Sequence, residues 1–161
     1  MRKLTRCFSF LFGVSLVLAL SSLNAFAKTP TCTDIGGMIL TDVGGFGEID
    51  GHLTTLGVAT GSLRGALGVE IVSASPDFTT VVVRHHWVTE DGEILMLDQA
   101  TLHGTIVGSG ILAVTDYRIH LSGGTGRFAN AKGDTTAIGE LDLNTGHAVL
   151  RYSGKLCFAG N

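Results

Sequence analysis

From residue 30 onward the apolar positions recur every second residue, not every third or fourth. β-branched runs broken by Gly, Asn and Asp predict strands at 37–42, 53–60, 65–75, 79–89, 93–104, 111–122, 134–143 and 147–157. Only short turns separate them. The pattern predicts one all-β domain over 28–161, a single eight-stranded antiparallel up-and-down barrel of calycin-like kind. Closure in chain order removes both exposed edges. A two-sheet sandwich is the alternative.

Asp91-Gly92 favours a two-residue type I′ turn. That register sets Trp87 opposite Met96, His85 opposite Asp98, Val83 opposite Ala100 and Val81 opposite Leu102. This face is apolar apart from one imidazole beside one carboxylate. The other face carries Val82, Arg84, His86 and Val88 against Leu95, Leu97, Gln99 and Thr101. A three-residue loop slips the register and parts His85 from Asp98. In the last hairpin, a four-residue loop at Leu143-Asn144-Thr145-Gly146 pairs Leu141 with Ala148, Gly139 with Leu150 and Ala137 with Tyr152. Strand 111–122 alternates with Ala113, Thr115, Tyr117, Ile119 and Leu121 inward, and Val114, Asp116, Arg118 and His120 outward.

The first residues follow another pattern. Met1–Arg6 is basic, Phe8–Leu20 is apolar but short for a bilayer span, and Ala25-Phe26-Ala27 is an A-x-A cleavage site. Residues 1–27 therefore read as a signal peptide, and the protein as exported, periplasmic or secreted, with no membrane anchor. The whole chain carries a net charge of −3. Losing Arg2, Lys3 and Arg6 makes it more acidic, which argues against nucleic acid as a partner. Cys32 and Cys157 remain near the two ends, and export plus an even pair predicts a disulfide. A thiol nucleophile or a metal ligand is the alternative. Neither cysteine lies in C-x-x-C or near a histidine at ligand spacing.

His85 and Asp98 are the first chemical candidates. A carboxylate beside an imidazole in an apolar lumen fixes its tautomer and raises its pKa, giving an acid or base that works near neutral pH. Tyr117 and Tyr152 fall on inward faces, where a hydroxyl can donate to a developing oxyanion. Trp87, Met96 and Phe128 supply apolar wall for a ligand. Against this stands a plain reading, that His85 and Asp98 form a satisfied buried pair in a solidly packed barrel. No metal is expected. His85 and His86 point to opposite faces, and His52, His103, His120 and His147 lack ligand spacing. No Ser lies in G-x-S-x-G, and nothing sets Glu70, Glu140 or Asp98 in pairs across a cleft.

One segment is more particular. Gly123-Gly124-Thr125-Gly126-Arg127-Phe128, followed by Ala131 and Gly133, is a glycine-rich corner with Phe128 folding back onto the core. No Lys-Ser/Thr and no helix pattern follow, so it is not a phosphate loop. The segment resembles the GGTG-(R/K)-F-x-x-A-x-G corner of the allene oxide cyclase-like and dirigent-like barrels. Tyr117–Leu121 resembles the strand entering that corner, and 134–157 the two strands that close the barrel. The resemblance covers about residues 55–157 and lies nearest the bacterial exported members. It implies an eight-stranded barrel around an apolar cavity, commonly trimeric, with no cofactor. Plant cyclase members close an unsaturated epoxide of a fatty acid, and dirigent members steer coupling or cyclisation of phenolic intermediates.

Together these readings predict an exported barrel that binds a small apolar or phenolic molecule. It would promote a cofactor-free cyclisation, isomerisation or stereo-directed coupling by positioning. A non-catalytic carrier, like a small calycin, and a structural or interaction barrel are the alternatives. The apolar outward positions Val82, Val88, Leu95 and Leu97 predict a homo-oligomer, trimer or dimer.

Overall fold

A computed structural model describes residues 29–49 and 51–160, with side chains described outside 43–49. The leader over 1–27 lies outside the described residues. Among the described residues, nine strands follow one another: β1 (Thr31–Ile49), β2 (His52–Ala59), β3 (Gly65–Ala74), β4 (Thr80–Thr89), β5 (Ile94–Leu97), β6 (Ala100–Gly108), β7 (Ile111–Gly124), β8 (Lys132–Asp142) and β9 (Ala148–Phe158). Apart from β5 and β6, consecutive strands pair antiparallel. β9 then returns to β1, from Thr31 opposite Phe158 to Thr41 opposite Ala148. β5 and β6 share, end to end, the position between β4 and β7. The ring is thus a closed eight-stranded antiparallel barrel, as the alternation predicts. The sandwich is excluded because β1 pairs with both β2 and β9, and β3 with both β2 and β4.

β4 shows why the sequence folds this way. Val81, Val83, His85, Trp87 and Thr89 are buried, while Arg84, His86 and Val88 are exposed. Such alternation fits one wet face and one dry face. The last hairpin keeps its expected register, with Leu141 opposite Ala148, Gly139 opposite Leu150 and Ala137 opposite Tyr152.

Two registers differ from expectation. The middle hairpin turns through three residues, Glu90–Gly92. Thr89 N donates to Glu93 O (2.8 Å), Gly92 N donates to Thr89 O (2.9 Å), and Gly92 sits at φ 80°. Glycine adopts that left-handed conformation without steric strain. Trp87 consequently faces Leu95, not Met96. Leu95 turns into the core at 2% exposure and Met96 turns out at 56%. The strand breaks at Asp98-Gln99 and regains the expected register only at Val83 opposite Ala100. In β7 a bulge between Val114 and Arg118 adds one residue. Leu112 and Val114 therefore point inward before the bulge, and Tyr117, Ile119 and Leu121 after it. Ala113 and Thr115 do not share Tyr117's face.

One half of the barrel is filled. Trp87 and Tyr152 meet edge to face, with ring centroids 5.8 Å apart. Trp87 Nε1 donates to Leu63 O (3.0 Å), and the Tyr152 hydroxyl accepts from Leu63 N (3.0 Å) and donates to Thr60 O (2.9 Å). Both polar tips thus pin the β2–β3 connection across that end. The glycine corner seals the same half, with Phe128 at 1% exposure. A Cβ on Gly124 would lie 2.2 Å from Ile94 O. Arg127 pairs with Glu93 (2.8 Å) and Asp91 (3.5 Å), so the corner clamps the middle hairpin.

Cys32 and Cys157 lie opposite each other in the β1–β9 pairing and form the expected disulfide. The bond closes a loop with a sequence separation of 125. Replacing both cysteines by serine should lower unfolding free energy by about 2–5 kcal/mol, the effect of releasing a long loop in a small domain. Urea unfolding of the two proteins checks this, and a difference below about 1 kcal/mol would contradict it.

Candidate functional site

The half of the barrel away from the glycine corner is hollow. That end carries the turns after β3, β6 and β8, and the cavity is partly open. The space available to the centres of water-sized molecules is about 70 Å³. One water needs roughly 10–15 Å³ on that measure, so several fit. The corresponding space among Trp87, Tyr152 and Leu156 is about 10 Å³. The lumen is therefore plugged at one end and vacant at the other.

The vacant half has aliphatic walls, among them Leu67, Val69, Val83, Leu102, Val114 and Leu150. Thr41 and Thr55 add hydroxyls to its lining. At the boundary with the plug stand His85 from β4 and Tyr117 from β7, exposed 5% and 3%. The alternation of β4 turns His85 inward one step above Trp87. The β7 bulge sets Tyr117 inward across the lumen from it. His85 Nε2 and the Tyr117 hydroxyl are hydrogen-bonded, and their rings stack with centroids 5.7 Å apart. His85 Nδ1 is buried and has no hydrogen-bond partner among the described residues. Buried polar atoms are seldom left so, and each one calls for a physical reason.

Burial governs the protonation of the pair. It lowers the His85 pKa to about 4, with a smaller push from neighbouring His86, and it raises the Tyr117 pKa well above its ordinary value. At neutral pH both groups are uncharged. A count of hydrogens fixes the direction of their bond. If Tyr117 donates to Nε2, only Nδ1–H is left unmatched. If Nε2–H donates, both the phenol hydrogen and the Nδ1 lone pair lose partners. The unmatched nitrogen at the inner boundary is therefore Nδ1–H, a neutral donor.

The other predicted residues lie elsewhere. Asp98 is exposed, and its backbone N–H bonds His120 O (2.9 Å). The expected His85–Asp98 contact does not form, because the three-residue turn and the break at Asp98-Gln99 put the two side chains on opposite sides of the wall. The pKa-raising carboxylate is thereby lost, and desolvation moves His85 the other way. Met96 faces outward. Trp87, Tyr152 and Phe128 are inward but belong to the plug, and none of the three lines the vacant half. Tyr152 directs its hydroxyl to Thr60 O, away from any ligand.

Sequence reasoning also missed an ionic cluster on the outer wall. Glu70 of β3 is fully buried there, with Arg84 Nη1 3.0 Å from both its carboxylate oxygens, His86 at 3.4 Å and His52 at 3.8 Å. The signal was the outward phase of Glu70 and Arg84 on neighbouring strands. Their partnership needed the register that sets them opposite each other. Thr41 and Thr55 gave no signal, since a threonine in a strand is unremarkable.

No family model and no curated protein matches the chain. Among solved structures it is similar to two pterocarpan synthase dirigent proteins. To GePTS1 it has 13% identity and a TM-score of 0.39, with 82% of this chain and 87% of the other covered. To PsPTS1 it has 12% identity and a TM-score of 0.35, with 84% and 99% covered.

A pH dependence follows from His85. Between pH 6.5 and about 4 the unfolded chain binds a proton at this position and the folded one does not, so stability falls as pH falls through that window. The shift corresponds to about 3 kcal/mol. His85→Gln, which cannot take up the proton, should show a flatter decline from pH 7 to 4 in urea unfolding. Parallel curves for the two proteins would contradict a buried neutral His85.

Proposed function

We propose that the chain is an exported barrel that holds a small apolar or phenolic molecule in the vacant half of its lumen, in contact with His85 and Tyr117. The observation that carries this reading is the unequal filling of one closed barrel. Aromatic side chains pack the end beneath the glycine corner, while aliphatic walls at the other end surround empty space and one unmatched donor. Small-molecule sites have this character, concave and apolar with few polar groups. The disulfide fits an oxidising compartment.

Any reaction there proceeds by positioning. A neutral His85 and a protonated Tyr117 stabilise developing negative charge on a substrate oxygen through Nδ1–H, while the walls hold one conformer and exclude water. Such a site serves cofactor-free cyclisation or isomerisation. Carriage without turnover is the second reading, favoured by a lining whose described residues are mostly aliphatic.

Val83→Phe tests the cavity. Its ring enters the vacant half, so it should weaken binding of N-phenyl-1-naphthylamine, read by fluorescence, at least tenfold while leaving stability unchanged or higher. A loss of about 1–3 kcal/mol, the usual effect of overpacking, would show a lumen already full. Asp98→Ala should leave probe binding unchanged, since that side chain lies outside the wall.

The barrel also self-associates in this reading. A row of exposed residues runs across adjoining strands, Val149, Leu40, Val58, Ala66, Val88 and Ile94, each opposite the next. Four of them are 41–50% exposed and Leu40 is 40% exposed. A continuous apolar band of this kind marks a contact surface. Of the outward positions expected from sequence, only Val88 belongs to it; Leu95 is in the core and Val82 and Leu97 are half-buried. Sedimentation should show a dimer or trimer that Val58→Glu converts to a monomer. A wild-type monomer at micromolar concentration would overturn the self-association.

A further inference from the structure

The chemistry of the vacant half is narrower than its size, and it separates ligand classes. Its apolar lining is aliphatic. The large aromatic rings of Trp87, Tyr152 and Phe128 are all committed to the other end, and the nearest ring, Tyr117, stacks on His85. Among the described residues, no Lys or Arg lines the cavity. The turns at its open end carry Asp77 and Asp142, each held ionised by local donors. The Ser75 hydroxyl leads for Asp77, and Asn144 N–H leads for Asp142. An anionic ligand would meet like charge at the entrance and find no cation inside, where an unpaired carboxylate is strongly disfavoured. At the inner boundary, His85 Nδ1–H is a buried donor that lacks an acceptor.

Resting on the small-molecule reading above, we propose that the cavity selects an uncharged aliphatic molecule bearing one acceptor oxygen, a carbonyl, ether or hydroxyl, which takes the hydrogen bond of His85 Nδ1. The aliphatic part lies against Leu67, Val83, Val114 and Leu150, and the molecule enters oxygen first. A planar phenol matches the site less well. Its flat ring meets aliphatic walls and finds no unstacked ring beside it, since Tyr117 already stacks on His85. A fatty carboxylate matches it least.

Three probes of equal heavy-atom count, 2-hexanone, phenol and pentanoate, distinguish these classes in titrations of the full-length mature protein at pH 7. Binding is read by chemical-shift changes of the His85 ring nitrogens and of the cavity methyl groups. The expected order is 2-hexanone first, with phenol and pentanoate at least fivefold and tenfold weaker, and with Nδ1 shifting more than Nε2. In His85→Phe the preference for the ketone over phenol should disappear. If phenol or pentanoate binds as tightly as the ketone, or if His85→Phe keeps the preference, this selectivity is wrong while the cavity stands. If none of the three perturbs the cavity methyl groups, the small-molecule reading falls and the selectivity with it.

Discussion

The hydrogen bond between His85 and Tyr117 is the contact on which the organisation of the lumen depends. It joins β4 to β7 across the barrel interior at the level where packing stops. Below it, Trp87 and Tyr152 have their polar tips tied to the chain between Thr60 and Leu63, so their rings can fill that end without leaving a donor unmatched. Above it the walls are mostly aliphatic. A buried polar pair in an apolar lumen is tolerated only when each atom finds a partner. Here the Tyr117 hydroxyl hydrogen and the His85 Nε2 lone pair satisfy each other, and His85 Nδ1–H is left without an acceptor among the described residues.

That asymmetry follows from where the large side chains occur. Trp87, Phe128 and Tyr152 all lie toward the end sealed by the glycine corner. The residues lining the other end are mostly Val, Leu and Ile, whose short side chains do not meet across an eight-stranded ring. The corner itself is a structural device. Gly124 lets Ile94 O approach, Phe128 closes the floor, and Arg127 fastens the corner to the carboxylates of the middle hairpin. None of these groups touches the vacant half.

Much of the fold is legible in the sequence, because an alternation of period two over short segments leaves few arrangements that bury one face of every strand. The last hairpin was readable to the residue, since only one loop length kept Ala137, Gly139 and Leu141 in phase with Tyr152, Leu150 and Ala148. The middle hairpin was not. Asp91-Gly92 is compatible with a two-residue and a three-residue turn, and the choice exchanges Leu95 with Met96 and sends Asp98 outside. Alternation also hides bulges, so Tyr117 was placed inward correctly while Val114 was not. The partner of His85 could not be found locally, because Tyr117 reaches it across the lumen and no periodicity encodes that distance. The vacancy was equally hidden, being a property of side chains that fail to meet.

The central claim is that one half of this barrel is hollow and bounded by His85. A crystal of the protein pressurised with xenon tests it directly, since xenon enters apolar voids without needing polar partners. The account predicts a xenon atom among Leu67, Val83, Leu102 and Val114, on the side of His85 away from Trp87. Density showing no xenon within the barrel, or xenon only between Trp87 and Tyr152, would contradict it.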